Sequence, residues 1–94
     1  MERLYEARLA PAARRVLEAL PLDQRRELQR LIALIEQDPY PDHEVKVIVM
    51  MPPAVLTAYV HPDWWLLYHI AENAHINVLA IGPAWPPPGW LPQR

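Results

Sequence analysis

Residues 54–82 read AVLTAYVHPDWWLLYHIAENAHINVLAIG, and this stretch decides the fold. It contains three runs of β-branched, aromatic and other apolar residues, separated by short polar turns at 62–63 and 72–74. Such runs predict strands, here at about 54–61, 64–71 and 75–82. Because connections this short join neighbouring antiparallel strands, we expect a continuous three-stranded meander.

The chain before this meander predicts one more strand and two helices. Residues 45–51 are apolar and β-branched and are followed by two prolines, which predicts a fourth strand. Further upstream the apolar residues recur at helical spacing, and Pro21 interrupts the pattern. We therefore expect an antiparallel pair of helices, at about 3–20 and 23–38.

These elements form one α+β domain over residues 1–94. We expect the N-terminal helical hairpin to pack on one face of a four-stranded, mainly antiparallel sheet. Residues 83–94 are rich in proline and tryptophan, which predicts an extended C-terminal tail.

The inventory of residues excludes several kinds of chemistry. The 94 residues include no Cys, no Ser and a single Thr, Thr57, so Ser and Cys nucleophiles, zinc–thiolate sites and redox pairs are excluded. Two glycines, both near the C-terminus, cannot build a phosphate-binding loop before a helix. We expect no cofactor. No apolar run is long enough for a membrane span and the first residues are charged, so we expect a cytoplasmic protein.

Alternation of side chains along the strands predicts two unlike sheet faces. A two-residue turn at 62–63 places Tyr59 opposite Leu66. One face, which we expect to lie beneath the helices, then carries Val55, Thr57, Tyr59, Leu66, Tyr68, Ile70, Ile76 and Val78. The other, here called the open face, carries Leu56, Ala58, Val60, Trp65, Leu67, His69, Asn77, Leu79 and Ile81.

Three stretches resemble the RelE/ParE family, the toxin halves of bacterial type II toxin–antitoxin pairs. Residues 20–28 resemble the link into the family's second helix, residues 65–70 its third strand, and residues 77–82 its fourth strand. The order of two helices and four strands is also similar. The resemblance implies a toxin fold with an antitoxin as partner and, in the ribonuclease branch of the family, cleavage of messenger RNA.

The cationic positions of that ribonuclease branch are not retained. The resemblance places the family's two strand lysines at Leu56 and Ala58, and its strand arginine at Trp65. The arginine after the last strand corresponds to Pro83 or Ala84, and the terminal tyrosine to Trp90. Residues 39–94 contain only Lys46 and Arg94 as cations. Since transition-state cations carry this chemistry, we expect the fold without the ribonuclease activity.

The open face is therefore the candidate binding site. An apolar patch of this kind is rarely left in water, so we expect an antitoxin-like protein or a second copy of the chain to cover it, rather than the tail alone. RNA is a disfavoured partner. The predicted binding residues are Leu56, Trp65, Leu67, His69, Leu79 and Ile81, with tail contacts from Trp85 and Trp90.

The histidines predict no further site. His61, His69 and His75 do not converge in the predicted register and have no acidic ligand beside them, so we expect neither a metal site nor catalytic residues. Two alternatives stay open. One is an active toxin with displaced chemistry, acting on messenger RNA or on gyrase. The other is a structural homodimer without a toxin role.

Overall fold

The computed structural model describes residues 4–42, 44–50 and 55–86. Seven elements follow in chain order: β1 (Glu6–Leu9), α1 (Pro11–Ala19), α2 (Leu22–Gln37), β2 (Lys46–Met50), β3 (Leu56–Val60), β4 (Trp65–Ala71) and β5 (His75–Gly82). The strands form one sheet in the order β1-β5-β4-β3-β2. In the described part of the chain, no helix combines the length and apolar character that a membrane span needs.

The α+β architecture with two helices is confirmed, but the expected number of strands is wrong. The sheet has five strands rather than four, and it is mixed because β1 pairs with β5 in parallel while the other three pairings are antiparallel. The extra strand lies in residues 6–9, which the sequence analysis assigned to the first helix.

Pro11 explains why the first helix begins late. A residue before proline avoids helical backbone angles, and Ala10 is extended with φ −63° and ψ 158°. Pro11 then occupies the first turn of α1, where a missing N–H costs nothing. The alternation of charged and apolar residues in Glu6–Leu9 is a strand signal, and only pairing with β5 reveals it.

The helix-side core follows the predicted strand alternation. The turn at 62–63 closes through backbone hydrogen bonds exchanged by His61 and Trp64, and Tyr59 lies opposite Leu66 as expected. Residues from both helices and from the inner sheet face form one buried cluster, whose members include Leu17, Leu28, Ile32, Ile35, Leu66, Tyr68, Ile76 and Val78. Tyr68 also donates a hydrogen bond from its hydroxyl to the Pro39 carbonyl.

A β-bulge changes the predicted face of one residue. Leu67 pairs with Ala80 while Tyr68 pairs with Val78, so Leu79 is an extra residue on β5. The alternation reverses beyond it. Ile81, expected on the open face, instead lies in the helix-side core with 6% of its surface exposed.

Two carboxylates, Glu36 of α2 and Asp42 of the following loop, form hydrogen bonds with backbone groups at the two edges of the sheet. Glu36 is buried and accepts a hydrogen bond from the Ala7 backbone N–H of β1 at 2.8 Å. On β2, the backbone N–H and C=O groups of Val47 point towards the partner strand β3. Those of Lys46, the residue before it, therefore point away from the sheet. Asp42 forms a hydrogen bond with each of these two groups. Its carboxylate accepts from the Lys46 N–H, and its own backbone N–H donates to the Lys46 carbonyl. Blocking edge hydrogen bonds in this way limits pairing with other chains.

We expect Leu66→Ala to lower the free energy of unfolding by about 2–5 kcal/mol, because it deletes a fully buried side chain and leaves a cavity. Leu22→Ala is the matched control, since that leucine is 57% exposed and its loss should change stability little. Urea denaturation measures both. Equal effects of the two substitutions would contradict the assignment of the inner sheet face.

We expect Asp42 to make the stability of the fold depend on pH. Hydrogen bonds from backbone amides, that of Lys46 first, hold the pKa of Asp42 below its ordinary value. A carboxyl whose pKa is lowered by folding stabilises the fold at neutral pH, and this contribution disappears as the pH falls from about 4 through the lowered pKa. We expect Asp42→Ala to be less stable than the wild type at pH 7 and to converge with it in acid.

Urea denaturation at a series of pH values measures this convergence. Glu72→Ala, at an exposed position in the 72–74 turn, is the control for general loss of negative charge. A stability difference between Asp42→Ala and the wild type that stays constant with pH would argue against the role given to this carboxylate.

Candidate functional site

The open face of the sheet carries a second, smaller apolar core. Ala58, Trp65 and Leu67 are its buried members, with 0%, 8% and 6% of their surfaces exposed. A ring of partly buried residues from the strands and the tail packs around them: Val47, Val49, Leu56, Val60, Ala80 and Trp85. We call these nine residues the open-face cluster. It lies on the opposite side of the sheet from both helices.

Trp65 is the centre of this cluster and is held from two sides. It pairs across the sheet with Gly82, and a Cβ atom added to Gly82 would lie 2.3 Å from the indole ring. The ring therefore occupies the space that any other residue at 82 would fill. From the tail, Trp85 meets Trp65 edge to face, with ring centroids 6.1 Å apart. The tail thus covers part of the face that we expected a partner to cover.

Most of the predicted binding residues lie on the predicted face. The open-face cluster includes four of them: Leu56, Trp65, Leu67 and Trp85. Leu79 is partly buried at the bulge, and Ala80 packs with the cluster instead. Ile81 is on the wrong face, as described above. Trp90 lies outside the described residues, so its predicted contact stays a prediction.

The three strand positions to which the resemblance assigned cations are apolar and lie in one cluster. Leu56 and Ala58 lie on β3, and Trp65 follows on β4 within the same cluster. The nine residues of the open-face cluster include no Lys or Arg. A face built in this way excludes water and attracts apolar surface, whereas a phosphate needs cations or donors.

A polar strip borders the cluster on the same face, and the sequence analysis missed part of it. Arg8 on β1 is in register with Asn77 on β5, which is in register with His69 on β4. Arg8 Nη2 lies 3.0 Å from His75 Nε2, and Glu6 lies 3.6 Å from the same nitrogen. Because residues 6–9 were expected to be helical, the sequence analysis did not place Arg8 on this face. The alternation in Glu6–Leu9 was the available signal.

The expectation that no acidic ligand lies beside the histidines is wrong at His61. This residue lies on the helix side of the hairpin, and Glu27 of α2 and Asp63 of the turn each bring a carboxylate near it. One potential ligand atom from each residue lies within 4.8 Å of the others. Neither His69 nor His75 belongs to this group. The group is separate from the open face.

Comparison with known proteins gives structural matches and no sequence matches. No protein-family model matches the sequence, and a search of curated proteins finds no significant relative. A chain of the archaeal RelE–RelB complex from Pyrococcus horikoshii OT3 has a TM-score of 0.67 at 17% identity, over 89% of this chain and 99% of that one. A chain of the RelBE2 toxin–antitoxin complex from Mycobacterium tuberculosis has a TM-score of 0.70 at 20% identity, over 85% of this chain and 98% of that one.

The isolated RelE toxin from E. coli also matches, with a TM-score of 0.65 at 15% identity over 89% of this chain and 88% of that one. This match is to the toxin itself, without an antitoxin. The chain therefore has a RelE-like toxin fold, with two helices and a five-stranded mixed sheet. The resemblance found in the three short stretches of sequence is confirmed at the level of the fold.

The contact between Trp65 and residue 82 can be tested by a double-mutant cycle. We expect Gly82→Ala to cost about 1–3 kcal/mol of stability, because the added methyl group collides with the indole ring. The backbone of Gly82 is outside the left-handed region, so the collision alone should account for the loss. In a Trp65→Ala background the cost of Gly82→Ala should fall sharply. Equal costs in both backgrounds would refute the contact.

Proposed function

We propose that this chain is a cytoplasmic RelE-like toxin-fold protein that binds an antitoxin-like protein and does not cleave RNA. One observation carries the proposal. Leu56, Ala58 and Trp65 stand where the ribonuclease branch of the resembling family has cations, and they pack together in the open-face cluster. The face has been filled with apolar side chains instead of being left open and charged.

The rate that is lost when such cations are removed supports the proposal that the chain does not cleave RNA. Removing a single group that stabilises transition-state charge costs on the order of 10²–10³ in rate. Replacing every cation of such a site removes the stabilisation of the developing charge on the phosphate. The neighbouring Trp65 and Leu67 also occupy the surface with bulky side chains, which leaves little room for a messenger strand against the sheet.

The binding role rests on the rim of the open-face cluster. Trp65 and Leu67 are already buried within the chain, so a partner would meet the partly buried residues around them. Leu56, Val47, Val49 and Val60 form an apolar strip on β2 and β3. Two of the structural matches are complexes of RelE with RelB or their equivalents, which supports an antitoxin-like protein as the partner.

A second candidate function is RNA cleavage with displaced chemistry, and the polar strip favours it. Arg8 could neutralise a phosphate, and the imidazoles of His69 and His75 could transfer protons. This strip lies on the open face but uses none of the positions that carry the chemistry in the resembling family. The same experiment distinguishes this candidate from a silent binding protein.

We expect expression of the chain without a partner to leave bacterial growth and translated messages intact. Growth curves and primer extension on cellular messages measure this, with an active ribonuclease of the same fold as the positive control. Growth arrest with message cleavage would contradict the proposal. If Arg8→Ala and His75→Ala then abolished the cleavage, the second candidate would replace it.

The binding surface is tested with the product of the reading frame adjacent to the gene. We expect the two proteins to co-purify as a complex, and we expect Leu56→Lys to weaken the complex at least tenfold, because it places a charge in the apolar strip. Leu22→Lys is the matched control at an exposed position on the helix layer. Light scattering of the chain alone identifies a second copy as the occupant. A complex indifferent to Leu56→Lys would exclude this face as the interface.

A further inference from the structure

We propose that Glu27, His61 and Asp63 bind a divalent transition-metal ion such as Zn²⁺ and that the ion fastens the β3–β4 hairpin to α2. The site lies on the helix side of the sheet, away from the open face. It is independent of the proposed function, since neither antitoxin binding nor the loss of RNA cleavage requires it.

The three side chains bring together atoms that commonly bind metal ions. One imidazole and two carboxylates offer a mixed nitrogen and oxygen ligand set, which suits Zn²⁺, Co²⁺, Ni²⁺ and Mn²⁺. Their ligand atoms lie within 4.8 Å of one another. Ligands at about 2.0–2.2 Å from a tetrahedral ion are roughly 3.4 Å apart, so the ligand atoms need to approach one another by at most about 1.4 Å.

The two carboxylates have lone pairs that no described group uses. Where the structure describes the chain, the carboxylates of Glu27 and Asp63 accept no hydrogen bond and form no ion pair. Two carboxylates this close to each other repel, and a divalent cation between them would offset that repulsion. Glu27 and His61 are also partly buried, which restricts the rotamers that they can adopt.

The three side chains are carried by elements that pack in the helix-side core. His61 and Trp64 exchange backbone hydrogen bonds across the turn, and Trp64 is buried in the helix-side core. Glu27 precedes Leu28, which is fully buried in the same core. The hairpin and the helix are therefore kept adjacent by packing, which keeps the three side chains near one another.

His61 also provides a reporter of metal binding. Its Nδ1 accepts a hydrogen bond from the Asp63 backbone N–H at 3.1 Å, so the neutral ring carries its proton on Nε2. A metal at Nε2 would move that proton to Nδ1, and a metal at Nδ1 would displace the N–H. In either case the bond from Asp63 is lost, and its amide resonance should shift.

The test uses tag-free, chelator-treated full-length protein titrated with Zn²⁺ and, for its visible absorption, with Co²⁺. We expect saturable one-to-one binding by calorimetry, a rise in melting temperature with metal, and a shift of the Asp63 amide in the ¹⁵N spectrum. Glu27→Gln and His61→Gln should each weaken binding at least tenfold. Asp23→Asn and His75→Gln are controls, a carboxylate on the same helix and a histidine outside the group, and should bind like the wild type.

Two results would overturn the proposal: no saturable binding by the wild type at millimolar metal, or binding that Glu27→Gln and His61→Gln leave unchanged. Because both substitutions are at partly exposed positions, circular dichroism of the metal-free variants should match the wild type. If His61→Gln nevertheless failed to fold, the response of the Asp63 amide in the wild type would decide the question without it.

Discussion

The packing of Trp65 against Gly82 is the contact on which the open face depends. The indole lies where a Cβ atom at residue 82 would be, and Trp85 closes it from the tail. The bulge at Leu79 makes this contact possible. If the register of Tyr68 with Val78 continued without the bulge, Ile81 would lie opposite Trp65. Because Leu79 is an extra residue, Ile81 lies in the helix-side core and Gly82 lies opposite Trp65.

This arrangement has a functional consequence. In this chain both helices pack on one face of the sheet, so the side chains on the other face decide what that face can bind. Cations there would bind phosphate. Here Leu56, Ala58 and Trp65 pack with their neighbours as a second core, which stabilises the sheet and offers an apolar rim. The polar strip around Arg8 and His75 is the part of the face on which charge remains.

Helical periodicity predicted the two helices, and strand periodicity with short turns predicted the meander and the face occupied by Trp65, because these features depend on local sequence. The fifth strand could not be predicted in this way. Residues 6–9 become a strand only by pairing with β5, which lies more than sixty residues away in the chain. The bulge was missed for a similar reason, since nothing in the sequence around Leu79 marks an extra residue. As a result Ile81 was given the wrong face and Arg8 was left out of the site.

The proposal that the open face does not bind RNA is tested most directly by methyl NMR. A labelled sample is titrated with a non-cleavable single-stranded RNA at physiological salt. We expect the methyl resonances of Leu56, Ala58 and Leu67 to stay in place throughout. Saturable shifts of these three methyl groups on addition of RNA would contradict it, because they would place the nucleic acid on the face that the apolar cluster is argued to close.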